Sequence, residues 1–153
     1  MKKREQFLNY GGQYIDEEDI QAVIETLRSP FITQGPQIAA FEKAIADYVG
    51  AKYAVAFSSG TAALHGAYYV AGVRDGDEVI TTPITFVATA NAALYCGAKP
   101  VFADINLETG LLDVDRVKEK ITANTKVIAP VDYTGQPVHI DASMKLAVEH
   151  NLV

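Results

Sequence analysis

The chain has 153 residues, 49% of them hydrophobic and six of them proline, which suits about one ordinary globular domain with an apolar core. Thirteen basic against nineteen acidic residues leave a net charge of −6, and no Lys/Arg-rich stretch follows Lys2-Lys3-Arg4, which excludes electrostatic recruitment of nucleic acid. Cys96 is the single cysteine, so internal disulfides are excluded, and no apolar run approaches the roughly 18 residues of a membrane span.

The polar start, MKKREQFLNYGGQ, has no apolar h-region, and together with the lone cysteine in an apolar helical run it reads as cytoplasmic. Ile20, Val23, Ile24 and Leu27 recur at helical spacing after the acidic opening Asp16-Glu17-Glu18-Asp19, and Ser29-Pro30 ends that run, so residues 16 to 28 are expected to be a helix. The loop SPFITQGP follows. Ile38, Phe41, Ala44, Ile45 and Tyr48 then mark a second amphipathic helix, 36 to 49, closed by Gly50 as its C-cap. These helices form an expected N-terminal segment, residues 1–50, packing on a larger domain, residues 51–153.

In the larger segment strand-like and helix-like stretches alternate. Strands are expected at Tyr53 to Phe57, Glu78 to Thr82, Pro100 to Asp104 and Lys126 to Val131. Helices are expected at Thr61 to Ala71, Phe86 to Tyr95, around Asp113 to Val117, and at Ile140 to His150. Short apolar strands alternating with helices predict a parallel sheet covered on both faces, a doubly wound α/β core. After the last helix, HNLV reads as the entry to another strand, so the chain is expected to be a piece of a longer protein.

Ligands of open α/β sheets bind beyond the carboxyl ends of the strands, and three junctions there stand out. In Phe57-Ser58-Ser59-Gly60-Thr61-Ala62-Ala63-Leu64 a strand ends, hydroxyls and a glycine make the turn, and a helix opens. Free N–H groups and the positive end of the helix make that turn a phosphate seat, while simple N-capping by Ser and Thr explains the same residues equally well. The P-loop lysine and the G-x-G-x-x-G spacing are both missing, which weakens nucleotide triphosphate and NAD readings. At the second junction Thr81-Thr82-Pro83 ends a strand and Phe86 stands in the first turn of the next helix, where Ala88, Thr89, Ala90 and Ala92 let the helix approach the sheet closely. Beside a phosphate seat, Phe86 offers a stacking face for a flat heteroaromatic group; standing alone, it would be core filler. The third junction is Val131-Asp132-Tyr133-Thr134-Gly135-Gln136-Pro137, where Asp132 either orients a ligand amine or caps a turn. Asp104, at its own strand end, either faces the ligand rim or caps the turn that follows. His65, His139 and His150 lack the spacing of a metal site, and Lys99, Lys118, Lys120, Lys126 and Lys145 fall where a solvated role is the default.

TQGPQIAAFEKAIADYVGAKYAVAFSSGTAAL, TTPITFVATANAALYCGAKPVFADI and PVDYTGQPVHID together resemble the N-terminal part of the pyridoxal-phosphate-dependent nucleotide-sugar aminotransferases of the DegT/DnrJ/StrS type, across nearly the whole chain. Within that family, TTPITFVATANAAL and VDYTGQ are most similar to the pseudaminic acid branch, which aminates C4 of a UDP-linked 4-keto-6-deoxy-N-acetylhexosamine. The resemblance implies an incomplete large domain of the fold-type I transferase architecture, three layers around a mostly parallel sheet. It implies that Gly60 and Thr61, with Ser59 beside them, hold the phosphate of pyridoxal 5'-phosphate and that Phe86 lies over its ring. Thr33 and Gly35 are implied near the nucleotide end of the substrate or a partner subunit, or as residues that only shape their loop. The implied reaction moves an amino group from glutamate to a nucleotide-linked keto-sugar in surface polysaccharide or glycan biosynthesis, in a homodimer.

The family's pyridine-nitrogen carboxylate and Schiff-base lysine are implied downstream of HNLV, so this chain holds no catalytic residue and is expected to be inactive alone. Two alternatives remain at this stage. A sugar dehydratase of the same family carries His in place of the lysine, and a regulatory or binding module would catalyse nothing.

Overall fold

A computed structural model of the chain describes residues 11–153; the basic start Lys2-Lys3-Arg4 lies outside them. The described residues form two compact units that divide between Ala56 and Phe57.

The first unit carries helices α1, Glu17–Arg28, and α2, Pro36–Val49. Asp16 sits just before α1 and accepts from the N–H groups of Glu18 and Asp19 at 3.0 and 3.2 Å, while the Asp19 carboxylate accepts from the Asp16 N–H at 3.1 Å. This reciprocal capping box, together with the acidic first turn, explains why the helix begins there. Pro36 opens α2, where its missing N–H costs nothing, and Gly50 closes it in the left-handed conformation at φ 71°. The segment from Tyr53 to Phe57, expected to be a strand, forms none. Strand propensity needs a partner ladder, and its recorded backbone bond is instead Ala56 N–H to the Glu42 carboxylate at 2.8 Å, with Tyr53 and Val55 exposed.

The second unit is built on strands β1, Glu78–Thr81, β2, Lys99–Phe102, and β3, Thr125–Ala129, all parallel in the order β2-β1-β3. Helix α3, Gly60–Val70, precedes β1, and α4, Ala88–Tyr95, crosses from β1 to β2. Helix α5, Val114–Lys118, lies between β2 and β3, and α6, Ile140–His150, follows β3. The central strand is buried throughout and serves two cores. Val79 joins Tyr68, Val73, Ala92 and Ala93 on the side of α3 and α4, whereas Ile80 joins Leu112, Val117 and Leu146 on the side of α5 and α6. Successive side chains of a strand point to opposite faces, so this division makes three layers, helices on sheet on helices. Cys96 packs half-buried against the first core, as a small apolar residue would.

Beyond α6, Val153 donates its N–H to the Lys126 carbonyl at 3.1 Å and accepts from the Ile128 N–H at 2.9 Å. These are the slanted bonds of a parallel pair, but Val153 alone makes them: His150 ends α6, and Asn151 and Leu152 bond back to Val148 and Ala147, so of HNLV only the last residue meets β3 and no strand forms there among the described residues.

Candidate functional site

Because the three strands are parallel, their carboxyl ends share one rim, from which Thr82, Ala103 and Pro130 lead away. The Thr81 hydroxyl donates to the Ala129 carbonyl at 2.8 Å and the Ala103 N–H to the Thr81 carbonyl at 2.8 Å, which ties the ends of all three strands together. Asp104 leaves the rim exposed, and its carboxylate accepts from the Ile105 N–H at 2.8 Å, so turn capping describes it.

The turn into α3 is shaped by Phe57 and Ser59. The Phe57 ring lies across Gly66, where an added Cβ would meet its tip at 2.7 Å, so a larger residue there would make the half-exposed ring move. Ser59 stands at the N-cap in extended conformation and its hydroxyl accepts from the Ala62 N–H at 3.2 Å, while its carbonyl accepts from Ala63 at 3.0 Å. Capping by Ser59 is therefore real, yet it uses only part of the helix opening. The N–H groups of Gly60 and Thr61 have no partner among the described residues, as the first turn of a helix requires them to find outside it. No acidic residue stands in that turn, so the positive end of the helix is unopposed, which matters in a chain of net charge −6. A Cβ built on Gly60 meets nothing within 4 Å, and its φ is not left-handed, so neither packing nor backbone strain asks for glycine here. The open space beside two free donors has the shape and polarity of an anion seat.

Phe86 lies just before α4, not inside it: the helix begins at Ala88 with Val87 as its cap. The expected start is corrected by two residues because local bonds hold residues 82–86 in a turn. The Thr82 hydroxyl accepts from the Ile84 N–H at 3.1 Å, and the hydroxyls of Thr85 and Thr89 lie 2.8 Å apart. The Phe86 side chain is 73% exposed, which rules out core filler. Its exposed ring on a bonded turn leaves an aromatic face open to a ligand, although Tyr48, Val70 and Leu107 are more exposed still, so exposure by itself does not mark a site.

The third junction is a tight loop with a 3-10 turn at Tyr133–Gly135, in which Thr134 takes a left-handed φ of 56°. Asp132 closes it, one carboxylate oxygen accepting from the Val138 N–H at 2.9 Å. Turn capping is thus its observed work; the residue is exposed at the same rim as the Phe86 turn. Thr33 and Gly35 belong to the first unit. Gly35 caps α2, and a Cβ there would stand 2.5 Å from the Phe31 carbonyl oxygen, so close backbone approach demands glycine and Gly35 shapes its loop.

A cavity of about 540 Å³ lies away from these residues, between the turn at Asn106, the start of α5 and His139. Glu108, Asp113 and Asp115 line it, and Asp113 already caps α5 through the Asp115 and Arg116 N–H groups. Such a lining repels a phosphorylated ligand, so the rim and the α3 opening are the better candidate.

Two side chains that periodicity marks only as packing residues have polar work to do. Tyr68, 4% exposed, donates its hydroxyl to the Thr89 carbonyl at 3.1 Å, and Thr89, 8% exposed, pairs with Thr85. The signal was present as the i, i+4 spacing of Thr85 and Thr89, but which carbonyl Tyr68 reaches is a tertiary fact. Burial, and to a lesser degree the Cys96 thiol, push the Tyr68 hydroxyl up to about 12, so it stays a neutral donor. At the opposite, amino end of the central strand, Glu78 accepts from the Thr122 hydroxyl at 2.7 Å and pairs with Lys99 at 3.2 Å. The hydroxyl first, and Lys99 after it, hold that carboxylate below the ordinary glutamate range against partial burial.

The model of the DegT/DnrJ/EryC1/StrS aminotransferase family matches residues 13–153. The Bacillus subtilis spore coat polysaccharide biosynthesis protein SpsC is 45% identical over 152 residues, which are 99% of this chain and 39% of that protein. Among solved structures, Helicobacter pylori PseC, an aminotransferase involved in the biosynthesis of pseudoaminic acid, superposes with a TM-score of 0.87 at 40% identity, over 94% of this chain and 39% of its own. NtdA of Bacillus subtilis, solved with bound cofactor PMP, superposes with a TM-score of 0.83 at 34% identity, over 90% of this chain and 33% of its own. The chain therefore spans about two fifths of the length of SpsC and PseC, 39% in each case.

Proposed function

Given that the chain belongs to the DegT/DnrJ/EryC1/StrS aminotransferase family, we propose that it is the cofactor-seat portion of a pyridoxal-phosphate-dependent aminotransferase acting on a nucleotide-linked keto-sugar. The observation that carries the reading is the α3 opening, where two unpartnered N–H groups, an unopposed helix end and empty space at Gly60 coincide within a matched family fold. A second feature agrees with it, the exposed Phe86 on its clamped turn.

When bound, pyridoxal phosphate supplies an electron sink for making and breaking bonds at an amine-bearing carbon. The residues of this chain fit the holding of that group. Gly60 and Thr61 donate backbone N–H groups to the phosphate, the Thr61 hydroxyl adds a third donor, and Ser59 keeps the turn in place by its cap. Phe86 presents its face to the flat ring, an offset contact worth roughly 0.5–1.5 kcal/mol. Asp132 keeps one carboxylate oxygen for a cationic group at the rim while the other closes its loop. Thr33 and Gly35, in the loop before α2, are proposed for the nucleotide end of the substrate or for a partner subunit.

Glutamate is the proposed amino donor, the product is an amino sugar for surface polysaccharide or glycan assembly, and a homodimer is the proposed state. The names of SpsC and PseC support the sugar substrate, and the PMP bound to NtdA supports the cofactor. The chain spans 39% of SpsC and of PseC, and in keeping with the family resemblance the lysine that would anchor the cofactor is proposed to lie outside these 153 residues, which alone are proposed to be inactive. A cytoplasmic location is proposed as well; no helix among the described residues is long and apolar enough to cross a membrane.

The test is the protein as its host makes it, purified and weighed, then supplied with pyridoxal phosphate, glutamate and a UDP-linked 4-keto-6-deoxy-N-acetylhexosamine. A mass well above 16.5 kDa, a visible absorbance from lysine-bound cofactor, and glutamate-dependent amination are expected. A host product of 16.5 kDa with no such absorbance overturns the reading.

A further inference from the structure

We propose that Thr89 is a positioning residue that registers the Phe86 stacking face against the phosphate seat at Gly60; this rests on the cofactor reading above. Two polar groups of Thr89 serve the turn that carries Phe86, and the third meets α3, the helix that opens at Gly60. Its hydroxyl meets the Thr85 hydroxyl at 2.8 Å and holds the turn next to Phe86. Its N–H donates to the Phe86 carbonyl at 3.0 Å and holds the backbone of the aromatic itself. Its carbonyl accepts the Tyr68 hydroxyl at 3.1 Å, and Tyr68 belongs to α3, roughly two turns along from Gly60. The helix that opens at the phosphate seat and the turn that carries the ring face are thus bonded through one residue.

The surroundings make this arrangement specific. Ala88, Ala92 and Ala93, the other buried residues of α4, carry no polar side chain, so Thr89 is the single buried hydroxyl on that helix. It is 8% exposed and could have been alanine at no loss of helix propensity, yet its hydroxyl is spent on a turn residue. An exposed aromatic on a loose turn would lose backbone freedom when a ligand covers it, and a turn already locked removes much of that cost. Packing alone would ask for a residue of this size at position 89; it would not ask for the hydroxyl.

The experiment uses the protein at the length its host makes, with pyridoxal phosphate as the probe. Thr89→Val keeps the shape and both backbone bonds but removes the hydroxyl pair, Thr85→Val removes the same pair from its half-buried end, and Thr89→Ser restores it. Cofactor affinity by absorbance titration, visible circular dichroism of the bound cofactor at saturation, and far-UV melting are measured for each. Both valine variants are expected to weaken cofactor binding by about three- to tenfold, the size of one neutral hydrogen bond, and to reduce the visible dichroism at saturation, with Thr89→Ser near the unsubstituted protein. The double Thr85→Val/Thr89→Val variant is expected to be no worse than either single one. If Thr89→Val fails to fold, Thr85→Val reads the same bond from the more exposed side. Unchanged affinity and dichroism in the valine variants that fold, or a serine variant as impaired as valine, overturns this proposal alone. An unsubstituted protein that binds no pyridoxal phosphate overturns the proposed function, and this proposal with it.

Discussion

The hydroxyl of Thr81 donates to the carbonyl of Ala129 at 2.8 Å, across the carboxyl ends of β1 and β3. Thr81 is fully buried, and the residues that follow these two positions lead to the Phe86 turn and the Asp132 loop. Thr81→Val removes the donor without changing the side chain's volume much. The expected cost is about 1 kcal/mol, the net worth of one buried neutral bond, and Thr81→Ser is expected to recover most of it. Urea unfolding of the three proteins checks this, and equal midpoints for valine and threonine would remove the tie from the account.

Gly60 separates a folding role from a binding role. Since a Cβ there meets nothing within 4 Å, Gly60→Ala is expected to leave stability within about 0.5 kcal/mol. The same methyl enters the space offered to a phosphate, so affinity for pyridoxal phosphate is expected to drop by more than about tenfold, the effect of lost backbone approach. Thermal melting and absorbance titration read the two quantities independently.

Phe86→Ala tests the ring face. With 73% of the side chain in water, little burial is lost, and the melting temperature is expected to stay put. Cofactor affinity is expected to fall by about two- to tenfold, which is the stacking energy expressed as a ratio. Tyrosine at the same position keeps a stacking face and is expected to retain binding; loss of binding there would point to a steric role instead.

Glu78 predicts the acid limb of stability. Its carboxylate is held below the ordinary glutamate range by the Thr122 hydroxyl first and Lys99 second. The unfolded chain therefore takes up the proton at higher pH than the folded one. The stabilisation is fully present above the ordinary carboxylate value of about 4.3 and is lost as pH falls from there through the lowered folded value. Glu78→Gln is expected to flatten the fall in melting temperature below about pH 4.5, a window set by that ordinary value. An acid limb with unchanged slope would show that other carboxylates govern it.

Much of the fold was legible because it is written in short-range terms. The helix at 16–28 needs only its apolar spacing and the acidic cap, and Asp16 and Asp19 do form that cap. Gly50 as a C-cap was legible from chemistry alone, since few residues accept a φ of 71°. The helix Ile140–His150 came out where its periodicity placed it. Of the candidate site, the residue types were legible: the turn at Ser59-Gly60-Thr61 and the aromatic at Phe86 stand out in the sequence, and so does the likeness to a family that the match over residues 13–153 bears out.

The failures share a cause. Tyr53 to Phe57 has the residues of a strand, but a strand exists only when a neighbour takes its N–H and C=O groups, and composition cannot say whether one is there. Phe86 was placed inside α4 because helical residues surround it, while the bonds of Thr82, Thr85 and Thr89 hold it outside.

By itself, then, the amino-acid sequence determined the alternation of elements, the caps, and the residue types of the Ser59-Gly60-Thr61 turn and of the turn before α4, because propensity, periodicity and capping act over a few residues. The order β2-β1-β3, the two cores served by Val79 and Ile80, and the bonds from Thr81 to Ala129 and from Tyr68 to Thr89 were decided only by the tertiary structure. Those pairings join residues far apart in the chain, and each becomes favourable only once packing has excluded water from the groups that meet.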